Sequence, residues 1–424
     1  LSIPRNDINT IIVEHESSSA YNMQAKPNFD LRVFIEIFAS KIGAKLVLSD
    51  NLLSFETIAR KDMDHFTEAR PLSFKSNFKG VLEIEDKNEE SSESKSKKFQ
   101  VLSSEIINEI KKYLDRDEKV FIFSLRKGLA TLTVCKDCGE PVMCDNCQAP
   151  VVLYLSKDGT KRMFACNKCH TEKNPEIRCS HCNSWNLLPL GIGTDRVIEE
   201  VKKHFPKHKI FKLNKESATT AKQAEKIAKD FKEEKSAIMV GTEMALAYLE
   251  EKSDLSVIAS FDSLWSIPNF KMSEKIIRIL LGVMSNTKNK LIIQTKNKKD
   301  SAIKAIETDS LVEFVRQELN DRKKLGYPPY KRFIKISHLG TLAETKEVKR
   351  VLNNLFQQYD VAIFSGFIAK LKDKYSTNAL IKIDIERWSL PELHSHSYID
   401  EHLLKVITSL PADFHTRIDP EDLV

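Results

Sequence analysis

The chain has 424 residues, with 66 Lys+Arg against 60 Asp+Glu, a net charge of +6 and 41% apolar residues. That length admits two or three domains with real cores, and the small positive excess permits nucleic-acid binding without demanding it. No apolar run approaches the ~18 residues of a membrane span, and "LSIPRNDINTIIVEH" lacks the basic and apolar regions of a signal peptide, so a soluble cytoplasmic protein with no membrane partner is expected.

The predicted elements begin with "NTIIVEHE", an apolar run typical of a buried strand, then "FDLRVFIEIFASKIG", helical by period, and "AKLVLSD", a second buried strand. The stretch "EDKNEESSESKSKK" (85–98) holds no large apolar residue and reads as a flexible linker or loop tip. Beyond it lie a helix, "SSEIINEIKKYLDRD", and a strand, "KVFIFSL". After a cysteine-rich block come the helix "TDRVIEEVKKHF", strand "HKIFKL", helix "TAKQAEKIAKDFKEE" and strand "SAIMVGT", then the strands "LSVIASFD" and "NKLIIQT". Strand and helix alternating at this spacing predict parallel sheets covered on both faces. The lysine-rich run 286–304 reads either as a nucleic-acid contact or as a charged face and loop. From about residue 330 the pattern becomes antiparallel α+β: "YKRFIKISHLG", the helix "AETKEVKRVLNNLFQQY", "NALIKIDI" and a last helix. Pro328-Pro329 in "GYPPY" predicts a stiff extended segment, flanked by Tyr327 and Tyr330, that packs this C-terminal region on the lobe before it.

All eight cysteines fall in four Cys-x-x-Cys pairs within 135–182. A disulfide scaffold would spread them more widely, and cytosolic thiols stay reduced. Redox pairs of thioredoxin type come singly beside a βαβ unit. Two adjacent knuckles instead give the four-thiolate tetrahedral set that zinc prefers, so two zinc ions per chain are expected. Cys147 and Cys166 flank "APVVLYLSKDGTKRMF", which reads as a hairpin turning at Asp158-Gly159. A hairpin joins its two ends, so Cys144, Cys147, Cys166 and Cys169 should hold one ion. Cys135, Cys138, Cys179 and Cys182 should then hold the other, in a nested arrangement. A sequential pairing, with Cys135, Cys138, Cys144 and Cys147 on one ion, needs a tight five-residue connection. His170 and His181 read as solvated loop residues.

Six stretches in order resemble one family: "FSLRKGLATLTVCKDCG", "LGIGTDRVIEEVKKHFP", "IMVGTEM", "FDSLWSIPNFKMSEK", "LIIQT" and "DRKKLGYPPYKRF". They are similar to the C-terminal part of the PriA family of replication-restart DNA helicases (primosomal protein N′, superfamily 2). Even "PRNDINTIIVEHESSSAY" resembles the approach to that family's Asp-Glu-Glu-His motif. The resemblance implies two RecA-like helicase lobes, the first one partial, with a double zinc-binding insertion in the second and a C-terminal α+β domain. It implies lobe 1 remnant over 1–60, linker over 61–104, lobe 2 over 105–325 with the insertion at 134–185, and the C-terminal domain over 326–424. The implied activity is ATP- and magnesium-dependent 3′-to-5′ unwinding at stalled forks, with other primosome or replication-restart proteins as partners.

The chain departs from that pattern where ATP chemistry should sit. It has no G-x-x-x-x-G-K-[ST], the loop whose amides and lysine cradle phosphates. Glu14, His15, Glu16 and Ser17 stand at the Asp-Glu-Glu-His motif, which leaves Glu14 and Glu16 as remnants. Asp50-Asn51-Leu52 replaces Ser-Ala-Thr, Ala247-Tyr248-Leu249 replaces Lys-Gly-His, and Asn286 and Asn289 replace two arginines. Such arginines stabilise the transferring phosphoryl group by about 10³–10⁵ in rate. The expectation is a protein that binds forked or single-stranded DNA but is defective in ATP hydrolysis. Arg126, Lys127, Thr194, Arg196, Thr242 and Lys271 are the candidate DNA contacts, because loops at these positions face the strand in the related helicases. Two alternatives stand beside it: an active helicase completed by a missing N-terminal half, and a zinc-knuckle scaffold for proteins.

Overall fold

The computed structural model describes residues 7–23, 29–69, 78–86, 100–124, 131–135, 137–138, 142–145, 151–155, 162–166, 172–174, 176–191, 194–259, 261–266, 269–295, 297–365, 374–388, 398–420 and 423. The chain forms two compact units. Residues 1–74, 269–274 and 312–424 make one, and residues 75–268 and 275–311 make the other.

The first unit opens with β1 (Thr10–Glu14), α1 (Leu31–Ile42), β2 (Lys45–Ser49) and α2 (Phe55–Asp62). β1 and β2 run parallel, with Ile12 opposite Val47. Asp30 caps α1 by accepting the Arg32 amide, and Ser54 caps α2 by accepting that of Thr57. The apolar run at β1 predicts a buried strand. The strand forms, but only Val13 is buried in it and Ile12 is 67% exposed. Its one strand partner among the described residues is β2.

The second unit is built on a six-stranded, all-parallel sheet. Its strands are β3 (Val81–Asp86), β4 (Lys119–Phe123), β10 (Lys209–Leu213), β11 (Ala237–Gly241), β12 (Ser253–Ile258) and β13 (Thr287–Thr295), in the order β10-β11-β4-β12-β13-β3. The cysteine-rich insertion after β4 contains β5 (Thr131–Cys135), β6 (Val151–Leu155), β7 (Arg162–Cys166), β8 (Glu172–Lys173) and β9 (Leu187–Gly191). The helices are α3 (Ser104–Leu114), α4 (Thr194–His204), α5 (Ala221–Glu233), α6 (Glu243–Leu246), α7 (Met272–Ser285, whose first residues belong to the other unit) and α8 (Ser301–Glu307).

Strands β4 and β11, "KVFIF" and "AIMVG", carry apolar residues on both faces, as a covered parallel sheet requires. Val120, Ile122, Ile238 and Val240 pack with Ile106 and Ile110 of α3 and Val197 and Val201 of α4. The chain leaves the central strand β4 for β10 and β11 on one side, then crosses to β12 on the other. The switch in strand order therefore falls between β4 and β12, and open α/β sheets place their ligands at the carboxyl ends of strands flanking such a point. Gly241 ends β11 because a Cβ there would lie 2.4 Å from that of Ala245.

Strand β3 is a finding within the stretch read as linker. It pairs edgewise with β13, Ile84 opposite Ile293, and its acidic end "IED" masked the apolar alternation in the sequence. The rest of the acidic–basic stretch, 87–98, lies outside the described residues.

The first unit resumes with α9 (Leu311–Leu325), β14 (Lys331–Gly340), α10 (Leu342–Phe356), β15 (Asp360–Ser365), β16 (Tyr375–Asp384), α11 (Glu401–Ser409) and β17 (Phe414–Ile418). The four strands form an antiparallel sheet in the order β15-β16-β14-β17. Leu352 and Phe356 of α10 and Leu403 of α11 share one apolar core with Ile334, Ile336 and Ile381. "GYPPY" is a turn and not an extended segment. Gly326 takes a left-handed φ of 60° after α9, the Tyr330 amide donates to the Tyr327 carbonyl at 3.0 Å, and the Pro328-Pro329 peptide is cis. Tyr327 packs with Phe270 and Phe333, at centroid distances of 5.7 and 5.4 Å.

The expected fold class is thus observed: a RecA-like parallel α/β sheet, a cysteine insertion and a C-terminal antiparallel α+β sheet. Among the described residues no helix is long and apolar enough to cross a membrane.

Candidate metal centre and the remnant nucleotide site

The two ends of the insertion are tied before any metal is considered. Strand β5 runs antiparallel to β9, Thr131 opposite Gly191, and the ladder closes at Cys135 opposite Leu187. This brings the first knuckle, Cys135–Cys138, against the last, Cys179–Cys182. The four Sγ atoms lie within 4.8 Å of one another. Cys135 and Cys182 approach to 3.4 Å and Cys138 and Cys179 to 3.5 Å. These separations are too long for a disulfide. They suit a tetrahedral ion with Zn–S bonds of ~2.3 Å, which spaces sulfurs by about 3.8 Å. Cys135 and Cys179 are buried beside Val142, Val151, Phe164 and Leu187, while Cys182 is exposed.

Asp137, inside the first knuckle, clamps the second. Its carboxylate accepts the Ser184 hydroxyl at 2.5 Å and the Asn186 side-chain amide at 3.0 Å. The Cys179 amide donates to the Ser184 carbonyl at 2.8 Å, and Asn183 sits at φ 57° to close the turn. Supports of this kind orient thiolate ligands.

The antiparallel strand pair expected between the inner pairs is present, and the turn expected at Asp158-Gly159 lies outside the described residues. β6 and β7 are antiparallel, with Val151 opposite Cys166. Cys144 is buried, whereas Cys147 and Cys169, and the side chain of Cys166, lie outside the described residues. His181 is exposed, and His170 lies outside the described residues.

At the end of β1 the acidic remnants hold protein groups. The buried Glu16 carboxylate accepts the Ser54 amide, the Ser54 hydroxyl and the Thr57 hydroxyl, each at 2.8 Å, at the start of α2. Its carbonyl accepts Arg32 at 2.8 Å. Asp50 accepts the amides of Ser17 at 2.8 Å and Asn51 at 2.7 Å. Glu14 is exposed, and its carbonyl accepts the Tyr21 hydroxyl at 2.7 Å. Among the described residues these acids do not gather as a metal-binding group of three.

Asn286 closes the turn between α7 and β13. Its side-chain amide donates to Gly282 at 2.9 Å and to Leu246 at 3.4 Å, and its carbonyl accepts the Ser253 amide. Asn289 is an exposed position on β13.

Of the candidate DNA contacts, Thr194, Arg196, Thr242 and Lys271 are among the described residues. Thr194 is buried at the first residue of α4, with Arg196 exposed one step on. Thr242 is buried after β11, its amide donating to Leu213 at 3.3 Å. Arg126 and Lys127 lie outside the described residues. Lys271 belongs to the other unit, where its ammonium pairs with Glu56 at 2.7 Å.

That pairing belongs to a network with no signature in the sequence. Arg322 of α9, nearly fully buried, contacts Glu274 at 2.9 Å, Glu56 at 3.2 Å and Glu318 at 3.3 Å. Its guanidinium lies 5.3 Å from the centroid of the Phe55 ring. Burial alone would raise the Glu56 carboxyl, but the charges of Lys271 and Arg322 outweigh it and hold the group at about 2. In the sequence Arg322 is one basic residue in "DRKK", and nothing there sets it apart from its neighbours.

The architecture is therefore that of a RecA-like α/β protein bearing a four-cysteine centre on an insertion after its central strand. No family model matches the chain. It is similar over nearly its whole length to curated proteins named replication restart protein PriA. The protein of Thermotoga maritima is 25% identical across 99% of this chain and 55% of its own length. That of Chlamydia trachomatis is 26% identical across 89% and 52%, and that of Bacillus subtilis 24% across 89% and 48%. The chain is a PriA-like relative, and it spans about half the length of the curated relatives it matches.

Proposed function

We propose that the chain is a cytoplasmic replication-restart protein that binds forked or single-stranded DNA, holds two structural zinc ions and does not hydrolyse ATP by itself. The relatives' shared name supports the restart role, with other restart proteins as partners. The observation that carries the loss of ATP hydrolysis is Glu16. A metal-binding acid needs free oxygens toward the nucleotide, and both oxygens of this one serve Ser54 and Thr57. Asn286, in place of an arginine, serves a turn.

Cys135, Cys138, Cys179 and Cys182 would hold the first zinc, and Cys144, Cys147, Cys166 and Cys169 the second. Four thiolates close each site, so a bound ion supplies folding energy and no catalytic position. Arg126, Lys127, Thr194, Arg196, Thr242 and Lys271 would meet phosphate oxygens, which gives affinity without base preference.

A second reading has its own observation. In α1, "LRVFIEIFASKI", only Ala39 is buried, and Phe34 and Ile37 join Ile12 as exposed large apolar side chains. A further α/β polypeptide packed on these side chains would cover them and could bring the phosphate-binding parts this chain lacks. Measured DNA-stimulated ATP turnover of the chain alone separates the two readings.

A further inference from the structure

We propose that the end of α4 and the turn after it form a docking surface for the phosphate backbone of double-stranded DNA, the duplex arm of a fork. Charge is strongly segregated there. Between Glu200 and Glu216 the chain has six lysines, two histidines and no acidic residue. Lys209 and Lys212 of β10 are paired, with Glu234 at 2.5 Å and Asp195 at 2.6 Å. Lys202, Lys203 and Lys207 are exposed and make no ion pair among the described residues. Lysines in the last turn of a helix complement its dipole, which accounts for Lys202 and Lys203 alone. Lys207 lies beyond the helix end at His204. Its turn is fixed by the fold. The His208 amide donates to the Phe205 carbonyl at 3.2 Å, and Pro206 stands where its fixed φ favours a turn. Phe205 is buried, with the rings of His204 and His208 at 6.4 and 6.3 Å from its own. The backbone that carries the three cations is thus ordered before any ligand arrives, which lowers the cost of binding.

Position and surroundings select the ligand. α3 lies over β4 and β12 and α4 over β10 and β11, on one face of the sheet. Each ends just before a strand begins, so both end at the strands' amino edge. Lys111 and Arg116, exposed at the end of α3, therefore extend the cationic surface beside α4. The acids nearest in the chain, Glu199, Asp115 and Asp117, pair with none of these cations. The surface lies about 15 Å along α4 from Thr194 at its start, apart from the candidate contacts there. No large apolar side chain is exposed from Val197 to Lys215. Single strands are held through rings that stack their bases, and protein segments through apolar anchors beside the charges. Ammonium groups alone bind by releasing condensed counterions, and B-DNA releases more of them per phosphate than a single strand does.

This inference rests on the DNA-binding reading above, and the test separates the two. The wild-type chain is compared with Lys202→Gln/Lys203→Gln/Lys207→Gln and with a control, Lys222→Gln/Lys226→Gln/Lys229→Gln. The control removes the same charge from α5, whose Phe231 packs on Phe211, next in β10 to the Ile210 that α4 covers, and so lies on the other face of the sheet. Equal urea midpoints show that all three are folded. The probes are a fluorescein-labelled blunt-ended duplex and a fluorescein-labelled oligothymidylate, each at two salt concentrations. The first variant should bind the duplex about tenfold or more weakly and flatten its salt slope by about three, one for each lysine, while its oligothymidylate affinity matches the control's. Duplex affinity and slope equal to the control's overturn the proposal and leave the DNA reading standing. So does a wild type that binds oligothymidylate but no duplex. An equal loss for both probes makes the surface a general phosphate track and overturns its assignment to the duplex arm. Labelled polyglutamate bound more tightly than duplex, and lost in the first variant, makes an acidic protein segment the occupant instead. A wild type that binds neither DNA at low salt removes the DNA reading and this proposal together.

Discussion

Glu16 and Ser54, thirty-eight residues apart in the chain, form a buried two-point contact in which one carboxylate takes both the amide and the hydroxyl of the helix cap. An acid at a nucleotide site can be replaced with little loss of stability. One that satisfies three buried donors cannot. Glu16→Ala should lower the unfolding free energy by about 1–3 kcal/mol, the cost of leaving such donors unpaired. Urea denaturation checks this, and an unchanged midpoint would return Glu16 to the pool of free acids.

Zinc content tests the nested knuckles. Elemental analysis should give two zinc ions per chain, and Cys135→Ser should give one, with faster proteolysis inside the insertion. One ion or none in the parent contradicts the double site. Loss of both ions in Cys135→Ser would mean that the centres fold as one unit.

Arg322 should be intolerant of change. Arg322→Ala leaves the carboxylates of Glu56 and Glu274 without their shared cation, and breaking a buried pair in this way costs about 3–5 kcal/mol. The same network sets a pH dependence. Glu56 is held at about 2 in the fold against an ordinary 4.5, so its stabilisation is complete above the ordinary value and is lost as pH falls through the window between them. Unfolding measured at pH 6, 4 and 3 should show a steeper loss in the parent than in Glu56→Gln. Equal slopes would remove Glu56 from the account.

The first and last knuckles are legible in the sequence because soft ligands must recur at short, fixed spacing, and the antiparallel pairing of β6 with β7 follows from the alternation of its two strands. The alternation of strands and helices gave the parallel sheet for a similar reason. What stayed hidden depends on long-range partners. Nothing local distinguishes Arg322 from Lys323, and its role comes only when α2, α7 and α9 converge. The exposure of Ile12 was invisible because an apolar strand reads alike whether one face or both are covered. The tyrosine–proline stretch reads as extended because two prolines fix φ, but they leave the direction of the chain to Gly326 and the packing of Tyr327 on Phe270.

DNA affinity should fall as salt rises, since phosphate contacts release counterions. Arg196→Ala and Arg126→Ala should each bind about uniformly more weakly across sequences and flatten the salt slope by about one. Lys271→Ala should also lower stability, because it uncovers Glu56. Fluorescence titrations at two salt concentrations suffice, and parent-like slopes in both arginine variants would place the DNA elsewhere.

The most direct test of the whole account is the steady-state ATP turnover of the purified chain, with and without forked DNA that it demonstrably binds. The account predicts DNA binding with no turnover above background, because Glu16 and Asn286 hold the fold together. DNA-stimulated turnover near the ~1–100 s⁻¹ common for phosphoryl-transfer enzymes would contradict it.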